Sequence, residues 1–295
     1  MAVREIFARM TALYRKAKLS AEGYAMFEKL AKQYGQITSF RIAAATSLIE
    51  LALGDRDYTR ATDTALKLLQ DPEKDRLPAI TYLALGNAFL KTEKFDFARD
   101  AFQKTLKLYP NDTNAAPLAQ LGLGQALLAL KDFNGAELAF NKQMPANLAQ
   151  AAPEALLGLA RVYEEKGRDK NPKEPINVKA IQYYNIAAQS GRRDIANEAY
   201  YRLGNFFFHI KESDLAKNQE NKKTALPYFM RLFFAGEPFA EEGAFRAAQC
   251  HETLGNSEAA LLAYQTYSRR YAKGKFKAEA DQKVAELTVK TKPAS

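Results

Sequence analysis

The stretch LALGNAFLKTEKFDFARDAF, residues 83–102, returns 38 residues later as LGLGQALLALKDFNGAELAF, residues 121–140. The alignment sets Gly86 over Gly124, Ala98 over Ala136 and Phe102 over Phe140. In both copies apolar residues recur every three or four positions on either side of a short polar break, the spacing of two amphipathic helices joined by a turn. A pair of that size cannot bury its apolar face alone, so neighbouring pairs must stack.

Weaker copies run along almost the whole chain. LARVYEEKG (159–167) with AIQYYNIAAQSG (180–191) supplies Ala160, Tyr163, Tyr184 and Ala187, and RLGNFFF (202–208) with ALPYFMRL (225–232) supplies Leu203, Gly204, Phe207 and Phe229. FRAAQCHETLGNSEAALLAYQTY (245–267) gives Ala248, Gly255, Ala260 and Tyr264. Tyr14 with GYAMFEKLAKQYG (23–35) reads as a first pair, and TSLIELALGDRDYTRATDTALKLL (46–69) as a second, both in uncertain register.

Residues 79–112 resemble the tetratricopeptide repeat (TPR) family through Tyr82, Leu85, Gly86, Phe89, Ala98, Phe102 and Pro110, with Thr105 where the family has Ala. The resemblance implies an all-α, right-handed superhelical solenoid of seven helix pairs with a C-terminal capping helix. Its units would be degenerate repeats at 1–36 and 37–78, clear ones at 79–112 and 117–150, then 153–191, 197–236 and 241–274. A capping helix at 275–290 and a tail at 291–295 would complete a single domain. Gly86 and Ala98 are expected to let paired helices approach, with Tyr82, Phe89 and Phe102 in the core. Two repeats are stretched, and the surplus falls in DKNPKEPINV (169–178) and ESDLAKNQENKK (212–223), read as loops on one edge; through residues 179–204 these two longer repeats resemble the Sel-like branch of the superfamily.

Composition agrees with helix. The 295 residues are 47% hydrophobic and 11% aromatic, with only 15 Gly and 11 Pro. The net charge of +9 sits at the ends: residues 1–32 carry +4, 269–292 carry +5, and the body between is neutral. A polyanion site would run along the body, since phosphate affinity scales with the phosphates neutralised, so nucleic-acid binding is disfavoured. The basic cluster Arg269, Arg270, Lys273, Lys275 and Lys277 reads as a solvated helix face. No segment has the 18 or more apolar residues of a membrane span, and the N-terminus has no signal-peptide core.

Catalytic patterns fail on spacing. Gly122-Leu123-Gly124 begins like a dinucleotide loop, but Leu127 stands where the third glycine belongs. His251-Glu252 begins like a zinc-protease helix, but Gly255 occupies the second histidine's place. Cys250 and His251 are adjacent and therefore point about 100° apart on a helix. The lone cysteine excludes an internal disulfide, and the acid pairs Glu164-Glu165 and Glu241-Glu242 are neighbours on a surface. No enzyme activity, metal or cofactor is expected.

In the family, binding sits on the concave face lined by the first helix of each pair. The fifth place of the five clear units is Leu83, Leu121, Leu157, Tyr201 and Phe245, and the ninth is Asn87, Gln125, Arg161, Asn205 and Gln249. The twelfth is Leu90, Leu128, Glu164, Phe208 and Glu252. A row of amides can hydrogen-bond an extended peptide whatever its sequence, with the apolar row taking its side chains and Arg161 a carboxylate. The expected activity is a non-enzymatic scaffold binding a protein or peptide of unknown identity. Leu83 and Leu121 replace the lysine of the chaperone-tail type of TPR, so that activity does not transfer. The rivals are a nucleic-acid-binding repeat, for which Arg161 is the lone basic groove residue, and a module self-associating through its basic ends. FQKTLKLYPND and YQTYSRRYAKGKFKAEADQKVAEL resemble the phrasing of bacterial envelope TPR proteins, such as outer-membrane-assembly lipoproteins and Tol-Pal accessory proteins. The cytoplasm is the expectation for the chain as written, and the periplasm or envelope if a leader has been removed.

Overall fold

Five of the helical hairpins turn on one residue held in the left-handed region, and four of those turns do so without glycine. Lys18, Arg56, Glu93 and Lys131 have φ of 58°, 63°, 59° and 62°, and Gly255 has 78°. The following amide reaches back over the turn: Leu19 to the Tyr14 carbonyl, Asp57 to Ala52, Lys94 to Phe89 and Asp132 to Leu127, each at 2.9 Å, and Asn256 to His251 at 3.0 Å. This bond closes the last turn of the first helix and reverses the chain. Asp57 and Asp132 then start the second helix by accepting from the amides of Arg60 and Gly135.

The computed structural model describes residues 2–170, 178–210, 214–235 and 238–291. Among them are fifteen α-helices and no strand. Two units divide the chain, Met1–Gln143 and Met144–Ser295. The first holds four hairpins, α1 (Ala2–Ala17) with α2 (Ser20–Tyr34), α3 (Thr38–Asp55) with α4 (Tyr58–Leu68), α5 (Ala79–Lys91) with α6 (Phe95–Leu108), and α7 (Ala115–Ala129) with α8 (Phe133–Asn141). The second holds α9 (Pro153–Lys170) with α10 (Val178–Ala188), α11 (Arg193–His209) with α12 (Leu215–Phe233), and α13 (Ala240–Thr253) with α14 (Ser257–Arg270), followed by α15 (Lys277–Thr291). In the first unit the leading helices α1, α3, α5 and α7 pack side by side, so one face of that unit is built from them.

Glycines of the leading helices make room for rings of the trailing ones. A Cβ at Gly86 would stand 2.5 Å from the Phe102 ring, at Gly124 2.7 Å from Phe140, and at Gly204 2.8 Å from Phe229. The Phe102 ring fills the space that Gly86 leaves, and Ala98 is buried as expected. Phe102 also lies against Gly122 of α7, so one ring joins two consecutive repeats.

Of the loop expected at 212–223, residues 212–213 lie outside the described residues and 215–223 are helical. Residues 215–223 form the first turns of α12, where Asp214 caps the amide of Ala216 at 2.8 Å. LAKNQENKK is rich in good helix formers and has no Gly or Pro before Pro227, so extending the helix costs little. Its Lys222 is buried and donates to the Phe208 carbonyl at the end of α11, satisfying a group that the helix terminus leaves bare. Most of the other expected loop, 171–177, lies outside the described residues, and its first two residues belong to α9.

Two stability changes follow from this geometry. Gly86→Ala should cost about 1–3 kcal/mol through overpacking against Phe102, and less in a Phe102→Leu background, as read by denaturant titration of the four chains. Lys131→Gly should stabilise by about 0.5–1 kcal/mol, because a side chain in the left-handed region costs more than glycine's extra chain entropy; calorimetry showing a lower Tm would contradict it.

Candidate functional site

The left-handed turn gives the five hairpins that carry it a common register. The ninth-place residue stands six before it: Asn87 before Glu93, Gln125 before Lys131 and Gln249 before Gly255. The same count from Arg56 and Lys18 reaches Glu50 on α3 and Ala12 on α1. Glu50 is thus a rung that the sequence reading missed. Its repeat is too degenerate to align by aromatic and glycine positions, and the signal that finds it is a turn residue of unremarkable type, Arg56.

In the first unit the rungs are accessible. Asn87 and Gln125 are exposed, and Glu50 is half-buried. Leu53, Leu90 and Leu128, all at the twelfth place, are half-buried beside them, as is Leu121 at the fifth. Leu83 is 4% exposed and belongs to the core.

In the second unit the corresponding residues are held by their own neighbours. Arg161 Nε donates to Glu198 at 2.8 Å, so the carboxylate it grips is internal. Gln249 accepts from Arg246 at 2.9 Å and donates to Glu279 at 3.3 Å. Tyr201 donates to Glu242 at 2.9 Å, and Phe208 lies between the Lys222 ammonium and the Arg246 guanidinium, 4.4 and 5.0 Å from its ring centre. Asn205 is half-buried and leaves its Oδ1 buried without a hydrogen bond. Leu157, 8% exposed, and Phe245, 1%, are core residues. Of the apolar fifth-place row, Leu83, Leu157 and Phe245 are buried while Leu121 and Tyr201 are half-buried, a difference that residue type alone does not reveal in sequence.

The twelfth-place acids have a separate cause. Repeats with a core phenylalanine on the trailing helix carry an apolar twelfth place: Phe102 with Leu90, Phe140 with Leu128, Phe229 with Phe208. The two with tyrosine carry glutamate. Tyr184 donates to Glu164 at 2.5 Å and Tyr264 to Glu252 at 2.9 Å. A buried phenol needs an acceptor, and the facing residue supplies it. Burial, with the facing carboxylate, pushes both phenols well above the ordinary tyrosine range. Arg202 and Lys283 bring the balancing charge to Glu164 and Glu252.

Cys250 and His251, the adjacent pair weighed as catalytic, are buried and half-buried respectively. Cys250 is buried and its thiol is pushed up to about 12 by burial, too high for a working nucleophile. His251 is half-buried, with its Nδ1 unpartnered and its pKa lowered by burial. Among the described residues no group of acids, histidines and cysteine could hold a metal ion, and no helix is long and apolar enough to cross a membrane.

These features define a repeat scaffold of helical hairpins whose exposed polar rungs lie on leading helices. Residues 83–149 match the tetratricopeptide repeat family, and the chain has the all-α fold of tetratricopeptide repeat proteins. A crystal structure of a tetratricopeptide repeat protein from Parabacteroides merdae ATCC 43184 is similar with a TM-score of 0.58 at 14% identity, covering 98% of this chain and 100% of that one. The TPR2AB domain of yeast Sti1, in its complex with pHSP90, matches over 97% of this chain and 99% of its own at 13% identity, with a TM-score of 0.33. No curated protein matches the sequence.

The phenol and carboxylate pairing is testable in a double-mutant cycle. Tyr184→Phe should cost about 1–3 kcal/mol by leaving Glu164 short of a donor, and adding Glu164→Leu, the pairing of the third and fourth repeats, should recover part of the loss. Strictly additive unfolding energies would show the two side chains to be independent.

Proposed function

We infer that the protein is a non-enzymatic interaction scaffold that holds an extended segment of a partner protein on the leading helices of its first unit. Asn87 and Gln125 are the polar rungs, and Leu90, Leu121 and Leu128 are the apolar contacts. The observation that carries this reading is the contrast between the units: Asn87 and Gln125 are exposed, whereas Arg161 and Gln249 are tied to Glu198, Arg246 and Glu279. A primary amide both donates and accepts, so a row of them suits peptide backbone, which offers one N–H and one C=O per residue. Leucines beside the rungs take alternate side chains of a strand-like ligand.

The second-unit residues of the expected groove, Leu157, Arg161, Tyr201, Asn205, Phe208, Phe245 and Gln249, lie outside the binding surface in this reading. A partner caught by a photo-crosslinker at Gln125 in the native cell would supply the segment to synthesise as a peptide. Changing Asn87 and Gln125 together to Ala should weaken its binding at least about tenfold, the loss of one to two net hydrogen bonds, with Tm unchanged because both side chains are exposed. An unaltered Kd by calorimetric titration would remove these residues from the site.

A further inference from the structure

A cavity of about 40 Å³ opens between α1, α3 and α5, at the Glu50 rung. One water-sized sphere needs roughly 10–15 Å³ of such space, so the cavity takes the tip of a side chain and not an aromatic ring. Phe7, Ala8, Ala43 and Ile80 make its walls mainly apolar. Its polar lining is unusual in what it offers. Thr46 spends its hydroxyl hydrogen on the Ile42 carbonyl at 2.8 Å, so in the 2.9 Å contact between Thr46 and Thr81 the donor is Thr81. Both buried threonines therefore have their hydrogens committed inside the protein. Ser47 can turn either way, and Glu50 offers acceptor oxygens only.

Glu50 is not satisfied by the chain. It has no hydrogen bond or ion pair with a described residue; Arg15 acts on it through the field, and burial raises its pKa. Arg4 reaches the same cavity as an exposed side chain at its mouth. A carboxylate in a largely apolar recess calls for a cation that brings several N–H donors and an apolar stem to fill the space behind them. Lysine has that form, because its four-carbon chain packs on apolar surface while its ammonium seeks an acceptor.

We propose that this cavity receives a lysine side chain of the bound partner, its stem against Phe7, Ala43 and Ile80 and its ammonium on Glu50. The proposal rests on the inner-face reading above and adds a side-chain specificity at the end of the ladder, where Glu50 occupies the register of Asn87 and Gln125.

The test uses the full chain with ¹³C-labelled alanine, threonine and isoleucine methyls and three small probes. Nα-acetyl-lysine methylamide presents stem and ammonium, Nα-acetyl-norleucine methylamide presents the stem alone, and glycine methylamide presents an ammonium without a stem. The lysine probe is expected to shift the Ala43, Thr46 and Ile80 methyls saturably and at least about fivefold more tightly than norleucine. Glu50→Gln should abolish that preference with the rest of the spectrum unchanged, and Ala43→Leu, which fills the cavity, should abolish the response to all three. Equal binding of norleucine, or a lysine response untouched by Glu50→Gln, overturns the assignment, and tighter binding of glycine methylamide replaces it with a chain-terminal amine. The Asn87→Ala/Gln125→Ala chain should keep the lysine response. Failure of the lysine probe while those two amides still govern partner binding would remove this proposal alone.

Discussion

One aromatic ring held against the backbone of two helices sets the repeat. Phe102 leaves α6 and lies where a Cβ on either Gly86 or Gly122 would have to stand. Its own hairpin and the leading helix of the next are thereby fixed to one side chain. Interiors are packed to near crystalline density, so replacing either glycine by a larger residue forces the ring, and with it a helix, to move. The second unit solves the same problem with different atoms. Phe229 takes the space left by Gly204, and a Cβ at Gly243 of α13 would meet Leu232, one turn further along α12.

That constraint reaches the surface chemistry. Where the ring position becomes tyrosine, as at Tyr184 and Tyr264, the hydroxyl must find an acceptor, and Glu164 and Glu252 are placed to provide it. Each glutamate then needs a balancing cation, and Arg202 and Lys283 enter. Arg202 also lies 3.7 Å from Glu198, the partner of Arg161. A single core choice, phenol or phenyl, thus propagates through an acid and a base to occupy the residues that might otherwise meet a ligand. The third and fourth repeats chose phenyl, kept leucine at the twelfth place, and left Asn87 and Gln125 exposed.

Much of the architecture was legible because it depends on local pattern. The small residues and rings at fixed offsets identify hairpins directly, and Gly86, Phe89, Ala98 and Phe102 are all buried as their periodicity requires. The site was less legible, for three physical reasons. Leu83 and Leu121 share a repeat position but differ in burial, since exposure depends on the neighbouring helix rather than on the residue type. Arg161 and Gln249 look free in sequence because Glu198 and Glu279, which hold them, come from other helices 30 or more residues away. Residues 215–223 read as an insertion because they interrupt the repeat spacing, yet an interruption rich in helix formers with an Asp at its start can be absorbed as extra helical turns.

Glu50 shows how the two levels meet. Its repeat has Ile49 where the third repeat has Gly86, and Ala65 where that repeat has Phe102, so the ring-in-glycine pattern that reveals the others is missing. The hairpin still has to reverse, and it does so through Arg56 in the left-handed region, with the same backbone bond over the turn that Glu93 and Lys131 use. Backbone closure is therefore preserved more strictly than side-chain packing along this chain. It is also the better ruler, because a turn fixes the rotation of the leading helix, and hence which residue faces the inner side, whatever packs behind it. By that ruler the ladder changes character along its length, from an acid at Glu50 to amides at Asn87 and Gln125. A ligand lying along it would meet a charged end and a neutral middle, which gives such a surface both a direction and a register for what it holds.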